Sequence, residues 1–389
     1  EKYFALAGTA CAFALMYAFF TVNAGTEEYS LPFLMISLYL FTKYFFLPER
    51  NTSFFELVIL GFCFTCAILI RLNMFPLWAG FCVVIFVEAI VQKRFASIAK
   101  YIIGFIAGIL IASIPVYLYL KLNGIYDEFL RQVIFGGASR GFSGFSIKET
   151  AKEFFVVLNR NFSFIPLIYG VFNIITGFMA ESGKKENAVY YFAYTFSYFL
   201  MVLFLAISPG GTHYNIVLVP YYIPVLSFFL ERISREFINI KHKTLCFVFF
   251  ACVICSEGIL KYIDDALGTF KDESGKQLIR AGKMIDENTT PDDTIISLGI
   301  NGYIYPFTKR NAASKYIYQG SGLDHLPTAR EEFLQDVLSK KPAIIAIFTA
   351  ETGGNYGYLP GWYAPVFDLI DRDYRLLSDE NGYMLYIKD

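Results

Sequence analysis

Nine apolar runs, each close to the length that a helix needs to cross a lipid bilayer, limit what this chain can fold into. A bilayer core of about 30 Å takes roughly 20 residues as a helix. Several runs are shorter and need apolar flanks or tilt. They predict a mainly α-helical protein, a polytopic transmembrane bundle of about nine helices. The runs are Tyr3–Val22, Leu31–Leu47, Phe54–Ile70, Met74–Val91, Ile98–Leu120, Phe162–Ala180, Ala188–Ile207, Asn215–Leu230 and Leu245–Tyr262.

The composition is typical of a membrane protein. Of the 389 residues, 56% are hydrophobic and 17% are charged, whereas soluble domains have roughly 45–50% and 25%. The formal net charge of -1 argues against nucleic acid as a partner. The first run begins almost at Glu1 and lacks a cleavage-site pattern, so it is not a signal peptide. We expect the chain to be a fragment whose N-terminus lies upstream.

Lysine and arginine concentrate in alternate gaps between the apolar runs, and this alternation predicts the orientation. Cytoplasmic loops carry an excess of these residues. The even gaps are therefore predicted to be cytoplasmic and the odd gaps external, which places the tail after the ninth run outside a multi-pass cell membrane protein. The basic residues of the even gaps and their margins are Lys43, Arg50, Lys93, Arg94, Lys100, Lys184, Lys185, Arg232, Arg235, Lys241 and Lys243.

Two domains are predicted. Residues 1–265 form the transmembrane helical domain, with a long external loop at 121–161, and residues 266–389 form an extracytoplasmic α/β domain. The loop contains the glycine-rich stretch Gly136–Gly144, which includes Arg140. Glycine allows a backbone to approach a ligand closely, so this stretch is either part of a binding site or a flexible connector.

The tail after Phe270 has the pattern of a small soluble α/β domain. No GxGxxG or P-loop pattern occurs in it, so no nucleotide site is predicted. Thr328, with Glu331 three residues on, is predicted to cap a helix, and Pro291–Asp293 is predicted to form a turn. The predicted helices are Glu273–Asp286, Thr328–Ser339 and Trp362–Ile370, and the predicted strands are Thr294–Leu298, Ala343–Phe348, Tyr374–Leu377 and Tyr383–Ile387.

Charge at or near a membrane is expensive and is kept for function. Seven polar residues fall on the predicted outer side. Carboxylates act as general bases or hold a metal, and arginines bind phosphate in a bidentate way. Ordinary loop charges and helix-end arginines that reach toward water are the alternatives. The seven residues are Glu27, Glu28, Arg71, Asn73, Arg140, His213 and Tyr214.

The seven cysteines all lie in apolar runs, which is typical of packing residues rather than of a disulfide or zinc framework.

Four motifs resemble those of the bacterial membrane glycosyltransferases with the GT-C fold, related to protein O-mannosyltransferases and the aminoarabinose transferase of lipid A. Asn23–Ser30 is similar to the family's N-x-TEE-[YF] segment, and Arg71-Leu72-Asn73 is similar to its R-x-N turn. Thr212-His213-Tyr214 with two following prolines resembles its HY…P segment. The tail segments Pro291–Ile295 and Lys341–Ile345 also resemble the family.

The resemblance implies an inverting transfer of a hexosyl or pentosyl group at the outer face of the membrane. The donor would be a polyprenyl-phosphate sugar, and the acceptor a glycan, a lipid or a protein. Glu27 and Glu28 would be the acids of the site, because the family's catalytic aspartate lies in an earlier loop that we expect to precede the segments present here. Arg71 and Arg140 would neutralise the departing phosphate, and His213 and Tyr214 would orient the sugar or phosphate. Family members differ in their need for a divalent metal.

Two other functions stay open. A transporter or flippase of lipid-linked saccharides would place polar groups at mid-membrane in broken helices. Glu56 and Glu88 lie nearer the predicted cytoplasmic ends of their runs, which counts against transport. A membrane anchor that displays a binding domain, as in a sensor, would leave the number of helices and the outer polar residues unexplained.

Overall fold

A computed structural model describes most of the chain, and the structural statements below concern the residues it describes. These are residues 2–16, 25–47, 50, 52–136, 146–179, 185–207, 212–236, 256, 258, 260–263, 274–299, 302–317, 319, 323, 326–348, 359, 361–380 and 382–389. The described residues are mostly helical, with a five-stranded sheet near the C-terminus. They divide into two compact units, one within Glu1–Ile134 and Gly144–Asp265, the other within Phe135–Ser143 and Ala266–Asp389.

The first unit is built from helices joined by short turns. The helices are α1 (Lys2–Met16), α2 (Thr26–Phe46), α3 (Phe54–Ile70), α4 (Pro76–Val91), α5 (Phe95–Leu122), α6 (Ile147–Asn159), α7 (Ile165–Met179), α8 (Lys185–Ile207) and α9 (Val219–Glu236). Short 3₁₀ segments at Leu72–Met74, Arg160–Phe162 and Thr212–Leu218 precede α4, α7 and α9. A helical segment at Tyr126–Phe129, followed by a π-helical one at Leu130–Phe135, comes after α5.

Each of the first eight predicted apolar runs contains a described helix, whereas most of the ninth run lies outside the described residues. Among the described helices, three are long and apolar enough to cross a membrane: Leu72–Val91, Phe95–Leu122 and Asn187–Ile207. The apolar helices Ala7–Met16, Phe54–Ile70 and Ile165–Met179 are shorter. The helical character of the first eight runs is confirmed, whereas the count of nine membrane spans is not.

The predicted loop at 121–161 contains an additional helix, α6, that the residue pattern did not predict. Val157 and Leu158 are buried in the core of the first unit, and Phe154 packs against that core. Lys148 and Glu149 on the first turn are exposed. The apolar residues follow a helical period, but lysines and glutamates between them gave the segment the composition of a loop. Apart from Gly136, the glycine-rich stretch of this region, including Arg140, lies outside the described residues.

Glycines allow α3 and α5 to pack with their backbones in contact. Gly104 and Gly108 have the small-xxx-small spacing that favours close helix pairs in membranes. A Cβ atom added to Gly108 would overlap the carbonyl oxygen of Val58, and one added to Gly61 would overlap that of Phe105. Backbone atoms cannot rotate away as a flexible side chain does, so these positions exclude any larger residue.

We expect Gly108→Ala to destabilise the first unit by about 1–3 kcal/mol, because the new methyl group forces the two helix backbones apart. Thermal unfolding of the purified protein in detergent measures the effect. The control is Gly282→Ala, where the nearest side-chain atoms to the new Cβ are 3.8 and 3.9 Å away. There the better helix propensity of alanine should stabilise by up to about 1 kcal/mol. Equal melting behaviour of the two variants would contradict the close packing.

The second unit is a three-layer α/β structure. Its elements are α10 (Ser274–Asn288), β1 (Thr294–Leu298), α11 (Ile304–Thr308), β2 (Asn311–Ala312), α12 (Pro327–Lys340), β3 (Ile344–Phe348), α13 (Ala364–Asp373), β4 (Tyr374–Glu380) and β5 (Tyr383–Lys388). The sheet has the order β2-β1-β3-β5-β4, in which β1 is parallel to β2 and β3, while β5 is antiparallel to β3 and β4. One face of the sheet packs against α12 and α13, and the other packs against α10 and α11.

Most predicted elements of this unit are confirmed. β1 has the predicted bounds, β3 begins one residue late, and β4 and β5 form the predicted terminal pair. The predicted cap at Thr328 is wrong. Helix α12 begins at Pro327, and its N-cap Leu326 makes no side-chain capping bond. Proline suits the first helical position because it has no N–H there to satisfy. The short elements α11 and β2 were not predicted.

Candidate functional site

Four of the seven predicted site residues lie together in the first unit, although they come from three distant segments. We call Glu27, Arg71, His213 and Tyr214 the Arg71 cluster. Glu27 is in the first turn of α2, Arg71 ends α3, and His213 and Tyr214 lie in the 3₁₀ segment before α9. The hydroxyl of Ser30 also donates to the sulfur of Met74 across 3.8 Å, which joins α2 to the turn after Arg71.

Glu27 is a buried carboxylate at a helix N-terminus. Only 2% of the residue is exposed, and the partial positive charge of the first helical turn favours an acid at this position. The hydroxyl of Thr26 donates to its Oε2 at 3.3 Å. The hydroxyl of Ser30 donates to its backbone oxygen at 2.7 Å. The carboxylate forms an ion pair with the guanidinium of Arg71.

Arg71 is held between a carboxylate and an aromatic ring. Its backbone is extended at the end of α3, and the Leu72–Met74 segment turns the chain directly into α4. Its guanidinium pairs with Glu27 and lies over the ring of Tyr214, 3.8 Å from the centroid. The side chain is 20% exposed. The sequence also allowed Arg71 to be a helix-end arginine that reaches toward water. Its contacts with Glu27 and Tyr214 do not fit that alternative.

His213 and Tyr214 complete the cluster from the 3₁₀ segment. Their rings meet edge to face, with centroids 4.3 Å apart. Burial lowers the pKa of His213 below its usual value, and the positive charges of Arg71 and then Lys261 lower it further. The imidazole is therefore neutral at pH 7, with one nitrogen that donates and one that accepts a hydrogen bond.

Glu28, Asn73 and Arg140 are the three predicted site residues outside the Arg71 cluster. Glu28 is only half buried, and no described residue forms a hydrogen bond or an ion pair with its carboxylate. Asn73 is also half buried, and its side-chain Oδ1 atom is shielded from water without a hydrogen-bond partner in the described part of the chain. Buried acceptors are almost always paired, so Asn73 is a candidate contact for a ligand. Arg140, the seventh predicted residue, lies outside the described residues.

The Arg71 cluster has the groups needed to bind a phosphate and to accept a proton. A guanidinium has five N–H donors, so Arg71 can hold Glu27 and an anionic ligand at the same time. The resemblance left open whether a divalent metal is needed. Among the described residues, no group of three or more His, Cys, Asp and Glu side chains is arranged so that it could hold a metal ion.

We expect Arg71→Ala to raise the pKa of His213, because it removes a nearby positive charge that disfavours protonation of the imidazole. Histidine-labelled protein in detergent, titrated by NMR, measures this directly. The chain has three histidines, so His213→Gln identifies the signal by its loss. The pKa in the unaltered protein should lie below the usual 6.5. The same value in both proteins would mean that the two side chains do not interact.

A second charged cluster was not predicted as a group. We call Arg50, Glu88, Arg94 and Tyr44 the Glu88 cluster. Glu88 forms an ion pair with Arg50 and lies 3.8 Å from Arg94, whose guanidinium donates to the hydroxyl of Tyr44 at 3.2 Å. The cluster ties the α2–α3 connection to the α4–α5 connection. The basic residues of the even gaps were the sequence signal for it.

Comparison of the chain with known protein families, with curated protein sequences and with solved structures gives no significant match.

Proposed function

We propose that this protein is a membrane glycosyltransferase that moves a sugar from a polyprenyl-phosphate donor to a glycan, lipid or protein acceptor at the outer face of the cell membrane. The observation that carries the proposal is the Arg71 cluster. Motifs from three distant segments were expected to act together, and Arg71 touches both Glu27 and Tyr214. The fold that we propose with it is a GT-C bundle of about nine spans with an extracytoplasmic α/β domain.

The spacing of the two charged clusters supports a membrane orientation. Glu27 lies near one end of α2 and Tyr44 near the other, about 25 Å apart along a straight helix at 1.5 Å per residue. A bilayer core is about 30 Å thick. The side chains of α5 between its ends are largely apolar and exposed, including Ile103, Ile111 and Leu118, as expected for a helix that faces lipid.

The proposed reaction is a single inverting displacement. The hydroxyl oxygen of the acceptor attacks the anomeric carbon of the sugar and forms the new glycosidic bond. The bond from that carbon to the phosphate oxygen breaks, and its electron pair leaves with the polyprenyl phosphate. The hydroxyl proton passes to a carboxylate that acts as a general base. Charge therefore develops on the phosphate oxygen while a proton is removed on the other side of the sugar.

Glu28 and Arg71 are the residues that fit these two roles. Glu28 is the acid without an ion-pair partner among the described residues, so its carboxylate is available to take the proton. Arg71 stabilises the departing phosphate with N–H donors that Glu27 does not use. Glu27 and Tyr214 are positioning residues that fix the plane of the Arg71 guanidinium, and His213 and Asn73 are placed to bind the sugar or phosphate.

The test uses the full-length protein in proteoliposomes with a panel of polyprenyl-phosphate-linked sugars. Release of free polyprenyl phosphate is followed over time in the presence of membrane extract as a source of acceptor. We expect release with at least one sugar, and we expect Glu28→Gln to lower its rate by about 10²-fold or more, the usual contribution of a general base. Glu149→Gln changes an exposed acid of α6 outside the cluster and should leave the rate unchanged.

One outcome would overturn the proposal, and two others would change the roles of its acids. No release with any donor, together with movement of the lipid-linked sugar between leaflets, would identify a flippase of lipid-linked saccharides instead. Equal loss of activity in Glu28→Gln and Glu149→Gln would remove Glu28 from the site. A small effect of Glu28→Gln, beside a large effect of Glu27→Gln, would exchange the roles assigned to the two acids.

A further inference from the structure

The second unit contains a cavity of about 320 Å³ on the surface of α12. Its walls come from the helix and from Lys315, which lies three residues after the end of β2. The lining side chains are all polar or charged, and they are Lys315, Glu332, Gln335, Asp336 and Lys340. The volume is at the lower end of the range of small-molecule sites, roughly 300–1,000 Å³, and it suits one sugar ring rather than a large cofactor.

Buried hydroxyl groups behind the cavity hold its two carboxylates in place. The hydroxyl of Tyr316 donates to Glu332 at 2.6 Å, and that of Ser314 donates to Asp336 at 2.9 Å. Tyr316 is 4% exposed and Ser314 is 2% exposed, so neither donor can turn away without disturbing the core. Groups that are fixed before binding lose little entropy when a ligand arrives.

The two lysines form ion pairs with the same carboxylates. Lys315 lies 2.9 Å from Glu332, and Lys340 lies 3.0 Å from Asp336. Lys340 also donates to the backbone oxygen of Ala313 at 2.6 Å. Each carboxylate therefore has its own ammonium group, and the cavity as a whole carries no net charge. Phosphate would meet two carboxylates, and a divalent cation would meet two ammonium groups, so neither kind of ion fits the balance.

The hydrogen-bonding capacity that remains alternates between acceptors and donors. A carboxylate accepts about four hydrogen bonds and an ammonium group donates three. Asp336 accepts one bond from Ser314 and one from Lys340, while Lys340 donates two. Gln335 lies between the two acids on the helix, and its amide has no hydrogen-bond partner in the described part of the chain. Each adjacent hydroxyl of a sugar both donates and accepts, which matches this arrangement.

From the balanced charge, the carboxylates that buried hydroxyl groups hold in place, and the alternating donors and acceptors, we propose that this cavity binds a neutral saccharide. Asp336 and Gln335 accept hydrogen bonds from adjacent hydroxyl groups of one sugar ring, and Lys340 and the amide of Gln335 donate to the same hydroxyl oxygens. The proposal does not depend on the transferase activity, because no residue of the Arg71 cluster takes part in it. It gives the second unit a function of its own, as a saccharide-binding domain.

The test is saturation-transfer NMR on the full chain in a detergent without a sugar headgroup. The probes are the methyl glycosides of glucose, galactose, mannose and N-acetylglucosamine. We expect transfer to at least one of them, with a Kd on the order of 1 mM, the affinity usual for a ligand of about a dozen heavy atoms. Gln335→Ala and Asp336→Asn should each weaken binding at least about tenfold.

Two further variants distinguish binding in this cavity from binding elsewhere on the protein. Glu331→Gln changes an exposed acid of α12 that does not line the cavity, and it should leave the affinity unchanged. Arg71→Ala should also leave it unchanged, and a loss there would place the bound glycoside in the Arg71 cluster instead. The absence of transfer to every probe would overturn the proposal. Binding that persists in both Gln335→Ala and Asp336→Asn, or that inorganic phosphate alone competes away, would overturn it as well.

Discussion

We expect Arg71→Ala to lower the rate of polyprenyl phosphate release by about 10²–10³-fold, the usual effect of removing one donor that stabilises a developing oxyanion. The guanidinium is the cationic group that Glu27 and Tyr214 hold in a fixed orientation. Its loss leaves the departing phosphate without that charge. The measurement is the rate of release in proteoliposomes at saturating donor.

A conservative variant separates the charge of Arg71 from its geometry. Arg71→Lys keeps the positive charge but loses the planar fork of donors and the stacking on the ring, so its activity should lie between those of alanine and arginine. Glu27→Gln keeps the size of the side chain and weakens the ion pair, and it should lower activity less than Arg71→Ala does. Full activity in Arg71→Ala would mean that this residue has no part in binding the phosphate.

The largest expected effect on stability is at Glu88. We expect Glu88→Ala to destabilise the first unit by about 3–5 kcal/mol, because it removes the carboxylate that pairs with the buried charge of Arg50. The side chains of Arg50 and Glu88 are 10% and 9% exposed. Arg94 loses the same carboxylate, 3.8 Å away. Thermal unfolding of the purified protein in detergent would record the loss.

Two controls test whether burial is the cause. Lys43 and Glu56 also form an ion pair, at 2.6 Å, but the lysine side chain is 40% exposed. Lys43→Ala removes the exposed partner of this pair and should therefore lower the melting temperature much less than Glu88→Ala does. The double variant Arg50→Met with Glu88→Leu removes both buried charges and should recover most of the stability. Equal losses for Glu88→Ala and Lys43→Ala would show that the Glu88 cluster gains nothing from being buried.

The parts of the fold that depend on local sequence were predicted well. Helix α3 has the predicted bounds Phe54–Ile70, and strand β1 has the predicted bounds Thr294–Leu298. Both are largely apolar segments that polar or turn residues delimit, so their length follows from neighbouring residues alone. Helix α6 was missed because its apolar residues alternate with charges, and its burial depends on packing against the core of the first unit.

The members of the candidate site were predicted from residue type and order, but their contacts were not. Motif order and predicted sidedness suggested that Glu27, Arg71, His213 and Tyr214 act together. The guanidinium of Arg71 contacts both a carboxylate and a ring. These contacts depend on where α2, α3 and the 3₁₀ segment before α9 meet. Nothing in the order of residues along a chain specifies such a meeting point.

The sequence by itself determined where most of the helices and strands form, because apolar periodicity and turn residues act over a few neighbouring positions. The tertiary structure alone decided which of two adjacent acids is buried. Glu27 and Glu28 have the same chemistry, and side chains one residue apart on a helix point about 100° from each other. Glu27 therefore faces Arg71 and is paired, whereas Glu28 stays half buried, and this difference assigns the two acids their separate proposed roles.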